Sequence, residues 1–476
     1  MKYWTKVRLA LSGCFFLLGL QTSTAQKAWS LLECIDYALV NNIAVKQNEV
    51  STELARLSVA QSRYSMLPTL NTSVGRNYNF GRTIDPFTNQ FTTQQVESDN
   101  WSLNTGVTLF SGFQLQNTLK QSQLNYLAGK SDLQKIKNDI SLNVISSYLQ
   151  VLYTKEQMKV AQARVEQSRE QRDRILRLVN AGSAVQGTLL DAEAQLTNEE
   201  LSRITAENQL ISARLAITQL LQLNSPEGFD VLDPSVEIPA ENSLSMTPAQ
   251  LYDLALANLP EIKAADNRIL SAEKGVSIAK AALMPRLSAF GQLSSFYSSS
   301  AKTVAGVEFE GLVPNGVTTA GDTVLVPSFN TRLADESYRN QLDQNYNKAF
   351  GLSLSVPLFN GFNGQLGVRR ARLNLENARY ASQQVRNQLY QSIQQAHTDA
   401  LAAAKRYEAT ARSLRSFEES YSYAEKRFNA GLINSLEYLT VTNNVTRSKV
   451  ELLQAKYDYI FRLKVLDFYA GKPLGF

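Results

Sequence analysis

The chain is poor in reactive side chains. It has two cysteines, Cys14 and Cys34, and one histidine, His397. Cys14 falls in the leader described below, so an internal disulfide and a Cys/His zinc cluster are both excluded. Cys34 is expected to pack on a helix. His397, one position beyond Ala396 on a long helix, is read as structural or solvated rather than as a proton carrier. No Gly-rich loop with a following Lys-Ser/Thr is present to cradle a phosphate. In the longest loop Asp322, Asp335 and Glu336 form no recognisable acid pair. No catalytic residue, metal or cofactor is therefore expected, and the chain is not read as an enzyme. Beyond the leader no apolar run is long enough to make a membrane-spanning helix.

The N-terminus carries Lys2, Lys6 and Arg8, an apolar stretch from Leu9 to Leu20, and Ser23-Thr24-Ala25 before Gln26. This fits a secretory signal over 1–25, cut after Ala25, and a protein that leaves the cytoplasm. Leu11-Ser12-Gly13-Cys14 resembles a lipoprotein box, but the most apolar part, Phe15 to Leu20, follows the cysteine, which argues against lipidation. Removing the leader takes away three positive charges and no negative one, lowering the formal net charge from +5 to +2. A chain so nearly neutral is no polyelectrolyte binder, and nucleic acid is not an expected partner.

Proline is absent from two stretches, Phe113 to Val179 and Phe362 to Phe428. Each follows Leu-Phe-Ser/Asn-Gly and ends at Asn-Ala-Gly. In the second, Ala378, Ala381, Val385, Leu389, Ile393, Ala396, Ala400 and Ala403 recur at steps of three and four, one face of a helix. A helix of that length would run roughly 100 Å and must be paired along it by others. The flanking segments repeat too. Ser30 to Tyr64 reads as a helix ending at Leu67-Pro68, and Thr247 to Leu283 repeats it. One constant shift, without a gap, carries Ala38-Leu39 onto Ala255-Leu256, Asn41 onto Asn258 and Pro68 onto Pro285. Return helices are expected over 186–221 and 435–469, each about half as long as its partner.

Between helices the period changes to two. Leu70, Thr72, Val74, Tyr78 and Phe80 alternate with polar or small residues, as do Trp101, Leu103, Thr105, Val107 and Leu109. Phe350, Leu352, Leu354, Val356 and Leu358 repeat the pattern, and a less regular partner strand lies near Leu287 to Tyr297. The expected organisation is a first repeat over 26–223, with a β-hairpin at 69–110 and the long helix at 113–179. An irregular linker with Pro226, Pro234 and Pro239 occupies 224–246. A second repeat over 247–476 has its hairpin at 286–359 and its long helix at 362–428. Polar loops join the paired strands, Gly81 to Asn100 and Ser298 to Lys348.

Strands of about ten residues, apolar on one face, behind a secretion signal suit a transmembrane β-barrel. Four strands cannot close around even side chains, since about eight are needed, and an open edge in lipid leaves backbone groups unpaired. The barrel must be shared between chains. Two copies would be too narrow for a channel, three would make twelve strands around a lumen of Asn, Ser, Thr and Gly, and the residues alone favour three over four only weakly.

The leader, the twofold repeat, Leu-Pro before the first strand of each half, Leu-Phe-Ser/Asn-Gly-Phe before each long helix and Asn-Ala-Gly at each turn resemble the TolC family of outer-membrane efflux proteins. The similarity covers Ser30 to Leu466. It implies an α+β membrane protein in the outer membrane of a Gram-negative bacterium: a homotrimer whose twelve-stranded β-barrel, four strands per chain, continues into a periplasmic α-helical coiled-coil barrel. It also implies a passive duct for efflux or type I secretion, joined to a periplasmic membrane-fusion adaptor and through it to an inner-membrane pump. By that resemblance the adaptor-docking tips are Ala181, Gly182, Ser183, Ala430, Gly431 and Leu432. The candidate periplasmic gate comprises Arg169, Glu170, Asp173, Arg415, Glu418 and Glu419, with Arg174 and Arg427 nearby and Asp173 and Glu419 as the candidate lumen-facing acids. Pro68, Gly112, Pro285 and Gly361 mark the junctions of barrel and helix. The rival reading, a secreted coiled-coil scaffold or surface adhesin, accounts for the helices but not for the four alternating strands.

Overall fold

The computed structural model describes residues 28–84, 89, 91–93, 95–225, 228–233 and 243–472. The leader with Cys14 lies outside the described residues, as do Pro226, Pro234 and Pro239 of the linker. In chain order the elements are β1 (Ala28–Trp29), α1 (Leu31–Asn41), α2 (Ile43–Tyr64), β2 (Thr69–Asn79), β3 (Thr83–Ile84), β4 (Phe91–Thr92) and β5 (Val96–Ser111). Then come α3 (Gln114–Asn180), α4 (Gln186–Leu220), β6 (Asp230–Val231), a short 3₁₀ turn (Ser243–Ser245), α5 (Pro248–Asn258) and α6 (Pro260–Ala281). The rest comprises β7 (Arg286–Ser298), β8 (Lys302–Val317), β9 (Thr323–Asp335), α7 (Tyr338–Gln344), β10 (Asn347–Ser355), α8 (Asn363–Asn429) and α9 (Ser435–Tyr469).

Helices α3 and α8 are each 67 residues long and α4 and α9 each 35. The helices expected over Ser30–Tyr64 and Thr247–Leu283 are each broken in two. The breaks fall at Asn42 and Leu259, equivalent positions of the two repeats, where ψ is 129° and 136°. The two halves reach this conformation differently. Asn42 accepts the Ala44 N–H at 2.9 Å through its own side chain, as helix-starting asparagines do. Leu259 precedes Pro260, whose ring disfavours a helical residue before it and whose fixed φ suits the first helical position.

The chain divides into two compact units, and neither is a repeat. One holds the described residues up to Lys46, Ile136–Asn258 and those from Tyr390; the other holds Gln47–Lys135 and Leu259–Leu389. Each therefore draws elements from both repeats, and α3 and α8 contribute to both.

The second unit contains a four-stranded antiparallel sheet in the order β10-β7-β5-β2. Cross-strand partners show how the alternation is used. Thr72, Leu103 and Leu293 share a row, as do Val107, Ala289 and Leu352, while Ser73, Ser102, Ser294 and Asn347 share a row on the other face. The register corrects the alternation at one place. A bulge between Thr108 and Phe110 removes Leu109 from the row pattern, so Phe110 joins Leu287 on the apolar side. Strand β10 stops at Ser355 rather than continuing through Val356 and Leu358, because Pro357 has no N–H for the ladder. One aromatic departs from the pattern: Phe290 lies in a row between Gly106 and Gly351, its ring over Gly351, where a Cβ would meet Cζ at 2.9 Å.

The segment read as the longer polar loop is structured. It holds the β8–β9 hairpin and α7, and α7 is tied to β7 by Gln341, whose Oε1 accepts the Ser298 N–H at 2.9 Å. The offset between repeats explains why this was hard to see. One shift aligns the two halves as far as the first strand of each sheet pair, β2 on β7, but a larger one is needed to bring the start of α3 at Gln114 onto the start of α8 at Asn363. The difference is an insertion between β7 and β10, where the equivalent connection of the first repeat, between β2 and β5, is much shorter and holds β3 and β4.

In the first unit α1, α3, α4 and α9 meet around Cys34, Ile145, Tyr148, Leu152, Ile217 and Ile460, all almost fully buried. The expected linker is in part a strand: Ala28 and Trp29 pair in parallel with Asp230 and Val231. Tyr148 closes that small sheet, donating its hydroxyl toward the carbonyls of Leu232 at 2.8 Å and Trp29 at 3.2 Å.

Candidate functional site

The two helical turns of the first unit are built alike. At the end of α3 the Gly182 N–H donates to the Val179 carbonyl at 2.9 Å and the Ser183 N–H to Leu178 at 2.8 Å. At the end of α8 Gly431 donates to Phe428 at 3.0 Å and Leu432 to Arg427 at 2.9 Å. This paired pattern satisfies helix-end carbonyls and needs one left-handed residue, supplied by Gly182 and Gly431 at φ 73° and 72°. The next helix begins differently in each turn. The Asn434 side chain accepts the Glu437 N–H at 2.8 Å, whereas Val185 at the equivalent place offers no cap. Val185, Leu432 and Leu436 are all over 70% exposed, so the turns show apolar side chains to their surroundings.

Above the turns lies a buried polar network that sequence reasoning missed. Arg164 of α3 and Glu199 of α4 are both largely buried and pair at 3.0 Å. Arg164 also donates to Asn443 Oδ1 of α9 at 3.0 Å and to Gln167 Oε1 at 3.0 Å. Gln167 in turn donates to the Tyr421 hydroxyl of α8 at 3.0 Å, which lies 3.0 Å from the Tyr438 hydroxyl of α9. Nearer the turn Arg174 donates to Asn429 Oδ1 at 3.1 Å. The α3/α4 pair is thus fastened to the α8/α9 pair by three hydrogen bonds, from Arg164, Gln167 and Arg174. Burial, then the hydrogen bond with Tyr421, pushes the Tyr438 hydroxyl well above the usual tyrosine range, so it stays a neutral member of the network. A half-open pocket of about 480 Å³ lined by Arg164, Gln167, Glu418, Tyr421, Thr442 and Lys449 adjoins it. No signal in the sequence separates Arg164 from the solvated arginines around it; its burial is decided by α4 and α9.

The charges singled out from the sequence are placed more loosely. Arg169 pairs with Glu166 at 3.2 Å and Glu200 at 3.8 Å, and Glu418 with Lys449 at 3.5 Å. Asp173 pairs with its neighbour Arg172 at 3.0 Å, and Arg427 with Glu437 at 3.4 Å. Glu170, Arg415 and Glu419 are exposed and form no ion pair among the described residues. The structure brings these charges to one end of the first unit's helices but does not join them in a single cluster.

In the second unit Pro68 and Pro285 stand immediately before β2 and β7, and Gly112 and Gly361 between a sheet-pair end and a long helix. The phenylalanine that follows each glycine is also left-handed, Phe113 at φ 63° and Phe362 at 61°, a costly state for a bulky residue. Edge-to-face packing on Phe110 at 5.5 Å and on Phe359 at 5.6 Å accompanies it. The repeated Leu-Phe-x-Gly-Phe motif is therefore one strand-to-helix corner used twice. Among the described residues no helix is long and apolar enough to cross a membrane, and no group of His, Cys, Asp or Glu could hold a metal ion.

The outer membrane efflux protein family model matches residues 34–222 and 251–472, both repeats and well over half of the chain. The chain belongs to the outer membrane efflux protein family. Among its relatives is the alkaline protease secretion protein AprF of Pseudomonas aeruginosa, 24% identical over 97% of this chain and 88% of AprF. Outer membrane protein TolC of Escherichia coli is 20% identical over 93% of this chain and 83% of TolC. The crystal structure of the Campylobacter jejuni CmeC outer membrane channel superposes with a TM-score of 0.73 over 94% of this chain and 87% of that one, at 17% identity. This efflux protein is thus an outer-membrane channel component of an efflux or secretion system, located in the outer membrane of a Gram-negative bacterium. Its fold is that of the TolC-like channels, a four-stranded sheet and long helices in two repeated halves.

Proposed function

We propose that this efflux protein is a passive duct, without catalytic activity, whose periplasmic helical turns dock a membrane-fusion adaptor and through it an inner-membrane pump. The exposed Val185, Leu432 and Leu436 around Gly182 and Gly431 support docking, since unpaired apolar side chains at two rigid turns suit a partner surface. The same tip is the gate. The observation that carries this reading is the hydrogen-bonded fastening of α3/α4 to α8/α9 through Arg164, Gln167 and Arg174. Opening requires the two helix pairs to separate at the tip, and a partner opens it only by binding the separated state more tightly. The exposed charges Arg169, Glu170, Asp173, Arg415, Glu418 and Glu419 then modulate the entrance without holding it shut, because exposed pairs contribute little.

The test is conductance of the purified protein in planar bilayers in potassium chloride. Asn443→Ala combined with Tyr421→Phe removes the acceptors of Arg164 and Gln167 on α9 and α8 and should raise single-channel conductance several-fold over the resting level, while Glu200→Gln at an exposed site should not. Equal conductance for all three proteins, with the trimer intact, would show that the network does not hold the gate.

A further inference from the structure

The apolar face of the four-stranded sheet ends in a graded border away from the long helices. Along β10 the side chains of this face are Leu354, Leu352 and Phe350, all well exposed. In a protein of the outer membrane such a face meets lipid. Lys348 follows at the next step, in a row with Leu293, Leu103 and Thr72. One row further stands Trp101, and beyond it Arg76 opposite Asp99. At that level β10 gives way to α7, held on β7 by Ser295, whose hydroxyl donates to the Leu342 carbonyl at 2.6 Å. The Trp101 indole N–H donates to the Tyr338 hydroxyl of α7 at 3.1 Å. Aromatic rings with one polar tip are what the boundary between hydrocarbon and headgroups selects.

The strands bring two cations to this border, and their surroundings differ. Arg76 is neutralised. Its Nε and one terminal nitrogen each donate to an Asp99 carboxylate oxygen at 2.6 Å, and Asp99, almost fully buried, also accepts the Tyr338 hydroxyl at 2.9 Å. Lys348 has no such partner. Its ammonium lies 4.8 Å over the Tyr346 ring, and among the described residues it forms no ion pair, Asp343 of the adjoining α7 included. Closing the open edge of β10 against another copy supplies no counter-charge. The same face of β2, the sheet's other edge, carries Leu70, Thr72, Val74, Arg76 and Tyr78, and no acid. An ammonium on a lipid-facing strand reaches headgroup level along its own aliphatic stem, and an unpaired charge beside hydrocarbon is costly.

We propose that Lys348, braced by Tyr346, binds the phosphate of a lipid headgroup in the outer leaflet. The leaflet follows from the end of the sheet that Lys348 occupies, away from the long helices, and so rests on the periplasmic placement of the helical turns proposed above. A phosphate suits the site because its charged oxygens accept the ammonium's three donors, while the acyl chains of the same lipid lie along Phe350, Leu352 and Leu354. Arg339, exposed on α7 and without an ion pair among the described residues, adds positive charge on the α7 side of the border.

The test titrates protein purified from outer membranes in mild detergent with lipid A and with the same lipid A stripped of its phosphates, counting retained lipid by native mass spectrometry. The parent should hold lipid A about fivefold more tightly than the stripped form, the contribution of one lysine at an anionic lipid surface. Lys348→Gln should lose that preference and leave binding of the stripped form unchanged, and Lys348→Arg should keep it. Equal retention of both lipids by the parent would reduce the site to ordinary annular lipid and overturn the proposal; this comparison needs no variant and stands even where Lys348→Gln fails to assemble. An undiminished preference in Lys348→Gln would take the role from Lys348. Displacement of lipid A by millimolar inorganic phosphate would make the site one for free anions, and a preference for phosphatidylglycerol over lipid A would overturn the outer-leaflet assignment.

Discussion

Cys34 shows how little of this chain's chemistry is available to reagents. It is fully buried, and desolvation, reinforced by the neighbouring Glu33 carboxylate, pushes its thiol up to about 12. A thiolate is the reactive form, so at pH 8 the folded protein should not react with iodoacetamide, while the denatured chain should take up one equivalent at Cys34. Mass spectrometry before and after denaturation measures this, and rapid native labelling would contradict the packing of α1 on α3. At the same scale Arg164 differs from every arginine near it only in what surrounds it. Its pair with Glu199 holds position rather than adding stability, since burying two charges cancels much of their attraction.

Among the elements, the repeated strand-to-helix corner gives the sharpest contrast. Gly112 and Gly361 share a left-handed backbone at φ 62°, but their surroundings differ. A Cβ on Gly112 would meet Met284 Cβ at 2.8 Å and Ala281 Cα at 3.1 Å, whereas at Gly361 the nearest atom is 3.9 Å away. Gly361→Ala should cost about 1–2 kcal/mol for the backbone alone. Gly112→Ala adds a steric clash and should lower the thermal unfolding temperature further. Thermal scans of the two detergent-solubilised variants compare them; equal losses would mean that α6 yields at no cost. The helix breaks at Asn42 and Leu259 teach a related point. Hydrophobic spacing runs straight through both, because a single extended residue barely disturbs a period of 3.6.

On the scale of the whole molecule, the parallel β1–β6 pair is held to the helices by Asp230. Burial works against its charge, but the Lys155 ammonium at 3.1 Å, the Val231 N–H and Arg214 outweigh it and bring the carboxyl below its usual range. A depressed folded-state value means that the stabilisation is present above the unfolded value of about 3.9 and is lost as pH falls through the folded one. The unfolding temperature should therefore drop as pH is taken below about 4, and Asp230→Asn should flatten that drop. A variant with the same acid profile as the parent would remove Asp230 from this role.

Periodicity and duplication determined most of the secondary structure and, through arithmetic, the expectation of a shared barrel. Steps of three and four residues in α3 and α8 and steps of two in β2, β5 and β10 are properties of single segments, so they survive in the bare sequence. Four strands cannot close alone, which made a shared barrel legible before any coordinates. The β8–β9 ribbon escaped because the equivalent connection of the first repeat is much shorter and because bulges at Ala305, Glu310 and Asn315 break the alternation on β8. Only the tertiary structure decided which side chains of the helices are buried. Arg164, Gln167 and Tyr421 are brought into one network by helices far apart in the chain, and burial of a charge depends on neighbours that local spacing does not encode.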